Sequence, residues 1–331
     1  MKSRYQPGGA KPAFVVLLAW SLTAFLGWSS PAPPVRPLRV VTTIAPLYCF
    51  VQNIAGEAVE LSNLLPPNVE PHDYVLSPGD MRRLLDADVV IRNGLGLESF
   101  LEAALSKVER SKVIDAAAGI LPLPEWVPPG ASAGWERPGG APANPHVWLD
   151  PRRAQTEVET IAQELCRRNP PKASEYQAGA ERLLAALRRI DDRYRRSLEP
   201  LPGKKMVCDH QAFAYLADRY GIEVIAFLDA RGHAGLSPKL LAWTMAAIVR
   251  ERVPALFSEV NRVSPELRSL SRDTGIPIVP LDSMESGALR ADLYERAAES
   301  NRLSLVRAFQ AGSRPLPQED HGKGSGNRAG G

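Results

Sequence analysis

The sequence predicts an α/β protein of two lobes, each a parallel β-sheet flanked by helices, with one long spine helix joining them and a cleft between them. Three observations lead there. Short β-branched runs alternate with stretches of helical spacing in both halves of the chain, the pattern of parallel sheets covered on both faces. One apolar stripe runs unbroken through residues 172–198. Three of the five histidines sit near junctions where a strand gives way to a helix, the end of a parallel sheet at which ligands are held.

In the first half, LRVVTTI (38–44) reads as a strand, PLYCFVQNIAG (46–56) as a helix ending on Gly56, and AVELSNLL (58–65) as a second strand. A proline-bracketed loop carrying His72 follows. Ser77, Pro78 and Asp80 then form a helix start with an acidic residue at its third position, so MRRLLDA is helical. DVVIRN (88–93) is a third strand, LESFLEAALSK (97–107) a helix and KVIDAA (112–117) a fourth strand. Residues 119–143, rich in proline and glycine, break the rhythm as a loop.

NPHVWLDP (144–151) follows, with Asp150 as a helix N-cap, Pro151 as the first helical residue and His146 four positions ahead of the cap. The helix over 151–169 stops at Asn169, Pro170 and Pro171. In the next run Tyr176, Ala180, Leu183, Leu184, Leu187, Ile190, Tyr194 and Leu198 recur at three- and four-residue steps. A helix of about 27 residues is about 40 Å long, enough to lie along both halves.

The second half resumes the alternation. Strands are expected at 204–209, 223–228, 254–259 and 276–281, and helices at 211–220, 238–252, 265–274 and 291–310. The organisation is therefore a signal peptide and linker over 1–37, an N-terminal lobe over 38–170, the linking helix over 171–200, a C-terminal lobe over 201–310 and a disordered, low-complexity tail over 311–331.

The chain has 331 residues, 44% of them apolar and 23% charged, with a net charge of +3. Its basic residues are dispersed over helices, so nothing in the charge pattern points to nucleic acid. Lys2, Arg4 and Lys11 precede an apolar, uncharged run over 13–28, too short for a comfortable bilayer span and the right size for a secretory signal. Export to the periplasm is expected, with cleavage within 29–37; an uncleaved membrane anchor is the alternative. No cysteine ends the apolar run, which argues against a lipid anchor. Cys49, Cys166 and Cys208 leave two options open, one disulfide plus a free thiol or three buried thiols.

His72 in VEPHDYVLSPGD, His146 in NPHVWLDP, His210 in VCDHQAFAYLADRYGI and Asp282 in IPIVPLDSM share one kind of setting. Three imidazoles and a carboxylate are a complete donor set for a divalent transition metal. A satisfied core histidine is the ordinary reading of any one of them alone. His233 reads as an idle loop residue or as one near the cleft mouth that helps exchange metal, and His321 lies in the tail.

Several segments carry a resemblance. TTIAPLYCFVQNIAGE, LLPPNVEPHDYVLSPGDMRRLLDADVVIRNGLGLESFL, NPHVWLDP, HQAFAYLADRYGI and FSEVNRVSPELRSLSRDTGIPIVPLD, in that order around one long helix, resemble the metal receptors (substrate-binding proteins) of bacterial zinc and manganese ABC importers. The resemblance spans about 38–310. It implies a metal cleft between the lobes with His72, His146, His210 and Asp282 as ligands, an ABC permease in the membrane as partner, and a monomeric protein that is not an enzyme.

Three features depart from the family pattern. Loop 119–143 has no histidine where zinc receptors often carry a His-rich acidic loop, RGHAGLSP stands where an acidic-Pro-Ser-Pro segment is usual, and the lipidation cysteine of many relatives is missing. The nitrogen-rich donor set favours Zn(II) over the alternatives Mn(II) and Fe(II). A zinc hydrolase is the rival from another class, with Glu259 or Glu70 as base. Four protein ligands argue against it, and Glu259 reads instead as a strand-end carboxylate and Glu70 as a partner orienting a histidine. An adhesin or scavenging buffer on the same fold would differ in partner rather than in site.

Overall fold

The computed structural model describes residues 36–67, 69, 74–127, 143–228, 238–285 and 287–312, together with Met1. The apolar run 13–28, His72, Glu70, His233 and the tail from 313 lie outside the described residues. From Pro37 onward the described residues make one compact unit.

The first sheet holds β1 (Leu38–Thr42), β2 (Val59–Asn63), β3 (Val89–Arg92) and β4 (Val113–Asp115), all parallel, in the order β2-β1-β3-β4. The second repeats this with β5 (Lys205–Cys208), β6 (Glu223–Phe227), β7 (Leu256–Glu259) and β8 (Ile278–Leu281) in the order β6-β5-β7-β8. In each sheet the winding direction reverses beside the first strand. The crevices at β1/β3 and β5/β7 are therefore topological switch points, where parallel sheets open a gap at their carboxyl ends.

Nine α-helices are described: α1 (Ala45–Ala55), α2 (Pro78–Asp86), α3 (Glu102–Leu105), α4 (Pro151–Arg168), α5 (Ala173–Leu198), α6 (Ala214–Tyr220), α7 (Pro238–Glu251), α8 (Pro265–Thr274) and α9 (Leu293–Gly312). Their starts follow local chemistry. Ser77 and Asp80 form a reciprocal capping box on α2, the Asp150 side chain accepts from Arg152 N at the start of α4, and Ser264 caps α8, which ends on left-handed Gly275. The helix expected over 97–107 shrinks to a 3-10 turn, Ser99–Leu101, and the four residues of α3. The cause lies just upstream, where Glu98 folds back to accept the backbone amides of Asn93 and Gly94 and so ties the chain into a turn.

Helix α5 spans 26 residues, and Tyr176, Ala180, Leu183, Leu187, Ile190, Tyr194 and Leu198 of the expected stripe are buried. Each large apolar side chain so buried contributes roughly 1.5–3 kcal/mol. The helix meets α1 through Gly179, and its Tyr194 hydroxyl donates to Ala298 O of α9 at 2.6 Å. One continuous core joins α1, α4, α5 and α9 to both sheets, and it includes Phe50, Trp148, Leu187, Phe213, Phe257 and Phe309. The other faces of the sheets carry smaller apolar clusters, one under α2 and α3 and one under α7 and α8.

Cys49, Cys166 and Cys208 are all free thiols, which sets the disulfide option aside, and of the three expected buried thiols Cys49 and Cys208 are buried while Cys166 is partly exposed. Among the described residues no helix is long and apolar enough to cross a membrane.

Candidate metal site

His146 is placed by the loop that returns from β4. Asn93, at the end of β3, donates through Nδ2 to Pro145 O at 2.9 Å, and Val147–Leu149 then forms a single 3-10 turn before the Asp150 cap. Trp148 is fully buried, its ring centroid 5.4 Å from that of His146. Asn144 Oδ1 accepts the His146 backbone N–H at 3.1 Å and faces its Nδ1 at 2.7 Å. The Asn144 amide nitrogen donates to Gln211 O at 2.8 Å, which orients the amide and makes the Nδ1 contact an N–H donation to oxygen. The lone pair of the His146 ring is therefore on Nε2.

His210 lies two residues past the end of β5, at the second switch point. Glu259, the last residue of β7, stands across that crevice with Oε1 2.6 Å from His210 Nδ1, and Ser283 Oγ donates to its other oxygen at 3.0 Å. A carboxylate on Nδ1 fixes the tautomer and leaves Nε2 as the donor atom. The two imidazoles meet edge to face, with centroids 4.8 Å apart at 87°.

The third member is Glu285, which the sequence reading missed. Ligand atoms of His146, His210 and Glu285 lie within 4.8 Å of one another, and all three residues are buried. Glu285 Oε1 is 2.7 Å from His146 Nε2. Among the described residues, that nitrogen has no aligned hydrogen-bond partner despite the close contact. The two atoms stand close enough for one shared cation, a proton or a metal ion, to bridge them. The only signal in the sequence was an acidic residue three positions past Asp282.

Asp282 itself is half-buried and outside this group. Its Oδ1 accepts the backbone N–H of Met284 at 2.8 Å, and burial raises its pKa against that hydrogen bond. Glu259, read as a strand-end carboxylate, is that and also the partner of His210. Tyr74, just past the segment of His72, donates its hydroxyl to Asp80 Oδ2 at 2.6 Å and so anchors the exit of that segment to the α2 cap. Burial pushes the Cys208 thiol well above its ordinary value, which keeps it a neutral core group two residues from His210.

Imidazole nitrogens with fixed tautomers, converging with a carboxylate in a buried space, are chemically suited to grip a divalent cation. Comparison with known proteins points the same way. A family model described as the periplasmic zinc-uptake complex component A matches residues 40–308. The chain is 31% identical over 249 residues to the zinc-binding protein TroA of Treponema pallidum, covering 74% of this chain and 78% of that protein. It is 28% identical over 255 residues to the iron-binding protein YfeA of Yersinia pestis, covering 76% and 79%. The solved structure of the SBP FpvC from Pseudomonas aeruginosa in complex with Mn2+ matches with a TM-score of 0.74 at 29% identity, over 83% of this chain and 99% of that one.

Proposed function

Because the chain belongs to the periplasmic zinc-uptake component A family, metal-binding receptors of ABC importers and not enzymes, we propose that it captures Zn(II) in the periplasm and delivers it to a membrane permease. Its ligands in this reading are His72, His146, His210 and Asp282, and the protein works as a monomer. The observation that carries the reading is the approach of His146, just ahead of the turn into α4, and His210, just past β5, with their Nδ1 atoms held by Asn144 and Glu259. Two aligned nitrogen donors, with a third histidine in a matching motif, favour zinc over manganese in the Irving–Williams order.

Similar proteins are named for zinc and for iron, and a similar structure holds Mn2+, so the choice of ion rests on donor type. Calorimetric competition near neutral pH tests it. Zn(II) is expected to displace Mn(II) and not the reverse; displacement of Zn(II) by comparable Mn(II) overturns the zinc assignment and leaves the receptor reading standing. Alanine at each of the four ligands is expected to weaken binding by about tenfold or more, since even partners that only orient ligands are worth about 10-fold to 100-fold. Unchanged affinity in three of the four variants would place the site elsewhere.

A further inference from the structure

The turn after β8 is held at every residue. Asp282 N donates to Asn301 Oδ1 at 2.7 Å, and Asn301 Nδ2 returns a hydrogen bond to Asp282 O at 2.8 Å. Trp148 Nε1 donates to Ser283 O at 2.8 Å, and Ser283 Oγ to Glu259 Oε2 at 3.0 Å. Met284, buried and not a glycine, has φ +67°, and its N–H is taken by Asp282 Oδ1 at 2.8 Å. Left-handed backbone at a bulky residue is unfavourable and persists only where its surroundings impose it.

That imposed turn has one chemical product. It turns Glu285 inward, so that a side chain with no exposed surface brings Oε1 to 2.7 Å from His146 Nε2. Two donors on one tetrahedral zinc are about 3.3 Å apart, so the carboxylate is already within about 1 Å of the separation that an ion between them demands. Trp148 links the pair structurally, since it follows His146 by two residues and its indole holds the carbonyl two residues before Glu285.

We propose that Glu285 is an inner-sphere metal ligand and the residue that tunes metal selectivity in this chain. The inference rests on the reading of the site as a divalent-metal receptor and adds to it a donor outside the motif set of His72, His146, His210 and Asp282. A second carboxylate beside Asp282 raises the coordination number that the site supports from four to five. It also adds a hard oxygen, which benefits Mn(II) and Fe(II) more than Zn(II). Asp282 then has two tasks, ligation through one oxygen and support of the Met284 turn through the other.

Glu285→Gln tests this, with His146→Ala as reference, by measuring Zn(II) and Mn(II) affinity by chelator competition and the visible absorption of the Co(II)-loaded protein. Gln keeps the shape and removes the anionic donor. Expected is a loss of about tenfold or more for Mn(II), a smaller loss for Zn(II), and stronger Co(II) absorption as the site moves toward four-coordination. Glu285→Asp, which keeps the charge and shortens the reach, is expected to fall between the wild type and Glu285→Gln, and it supplies the test if the Gln variant does not fold. Unchanged affinities and an unchanged Co(II) spectrum in a folded Glu285 variant, with binding lost in His146→Ala, overturn the proposal and leave the receptor reading intact. Unchanged binding in His146→Ala as well overturns the receptor reading itself.

Discussion

Asn144 Oδ1 stands 2.7 Å from His146 Nδ1, while the same side chain donates to the carbonyl of Gln211, the residue after His210. One amide thus sets the tautomer of the first histidine and ties its segment to the segment of the second. Asn144→Ala should lower metal affinity by about 10-fold to 100-fold, the usual cost of losing a partner that orients a ligand. Asn144→Asp keeps an acceptor for Nδ1 and loses the donor to Gln211, so titration calorimetry should show partial recovery. Equal affinity in all three proteins would mean that the amide only shapes the loop.

Glu157 of α4 is fully buried, and neither carboxylate oxygen has a hydrogen-bond partner among the described residues. Burial, and then the charge of Glu98, push its pKa well above the ordinary glutamate value. A carboxyl with a raised folded pKa keeps in the native state a proton that the unfolded chain has lost. Stability from this group is therefore complete below the unfolded pKa and falls as pH rises toward the folded one. Glu157→Gln removes that loss, so denaturant unfolding should find it more stable than wild type by about 1 kcal/mol or more at pH 8, with the advantage gone near pH 4. The same difference at both pH values would show that the proton plays no part.

Gly179 sits inside the spine, where glycine ordinarily costs about 1 kcal/mol relative to alanine. Here a Cβ would lie 2.2 Å from Ile54 O and 2.8 Å from Asn53 O, backbone atoms that cannot swing away. Gly179→Ala is therefore expected to destabilise by about 1–3 kcal/mol despite its better helix propensity, read as a lower denaturant midpoint. A gain in stability would show that α1 and α5 can part at little cost.

The spine also bears on motion. Because α5 packs on α1 through Gly179 and on α9 through Tyr194, within a core shared by both sheets, metal loading should rearrange the site rather than swing one half of the molecule about a hinge. Small-angle scattering of metal-free and loaded protein should give nearly equal radii of gyration. A marked compaction on loading would refute a rigid spine.

The sequence by itself determined the kinds of elements, most of their limits and the positions of two histidines. Those signals are local: β-branched runs, the 3.6-residue stripe from Tyr176 to Leu198, the Ser77–Asp80 box, Asp150 before Pro151, and Ser264 with Gly275 around α8. Only the tertiary structure decided which strands are neighbours, and with that which side chains meet. Glu259 reaches His210 because β5 and β7 flank a switch point, although 49 residues separate the two in the chain. Nothing around Gly179 in the chain announces the carbonyl of Ile54 that the fold sets against it. Glu285 was illegible for the same reason. Its direction depends on a left-handed Met284 that no local propensity favours and that contacts from Asp282, Trp148 and Asn301 impose, so that direction follows from where the Trp148 turn and α9 pack and not from its neighbours in the chain.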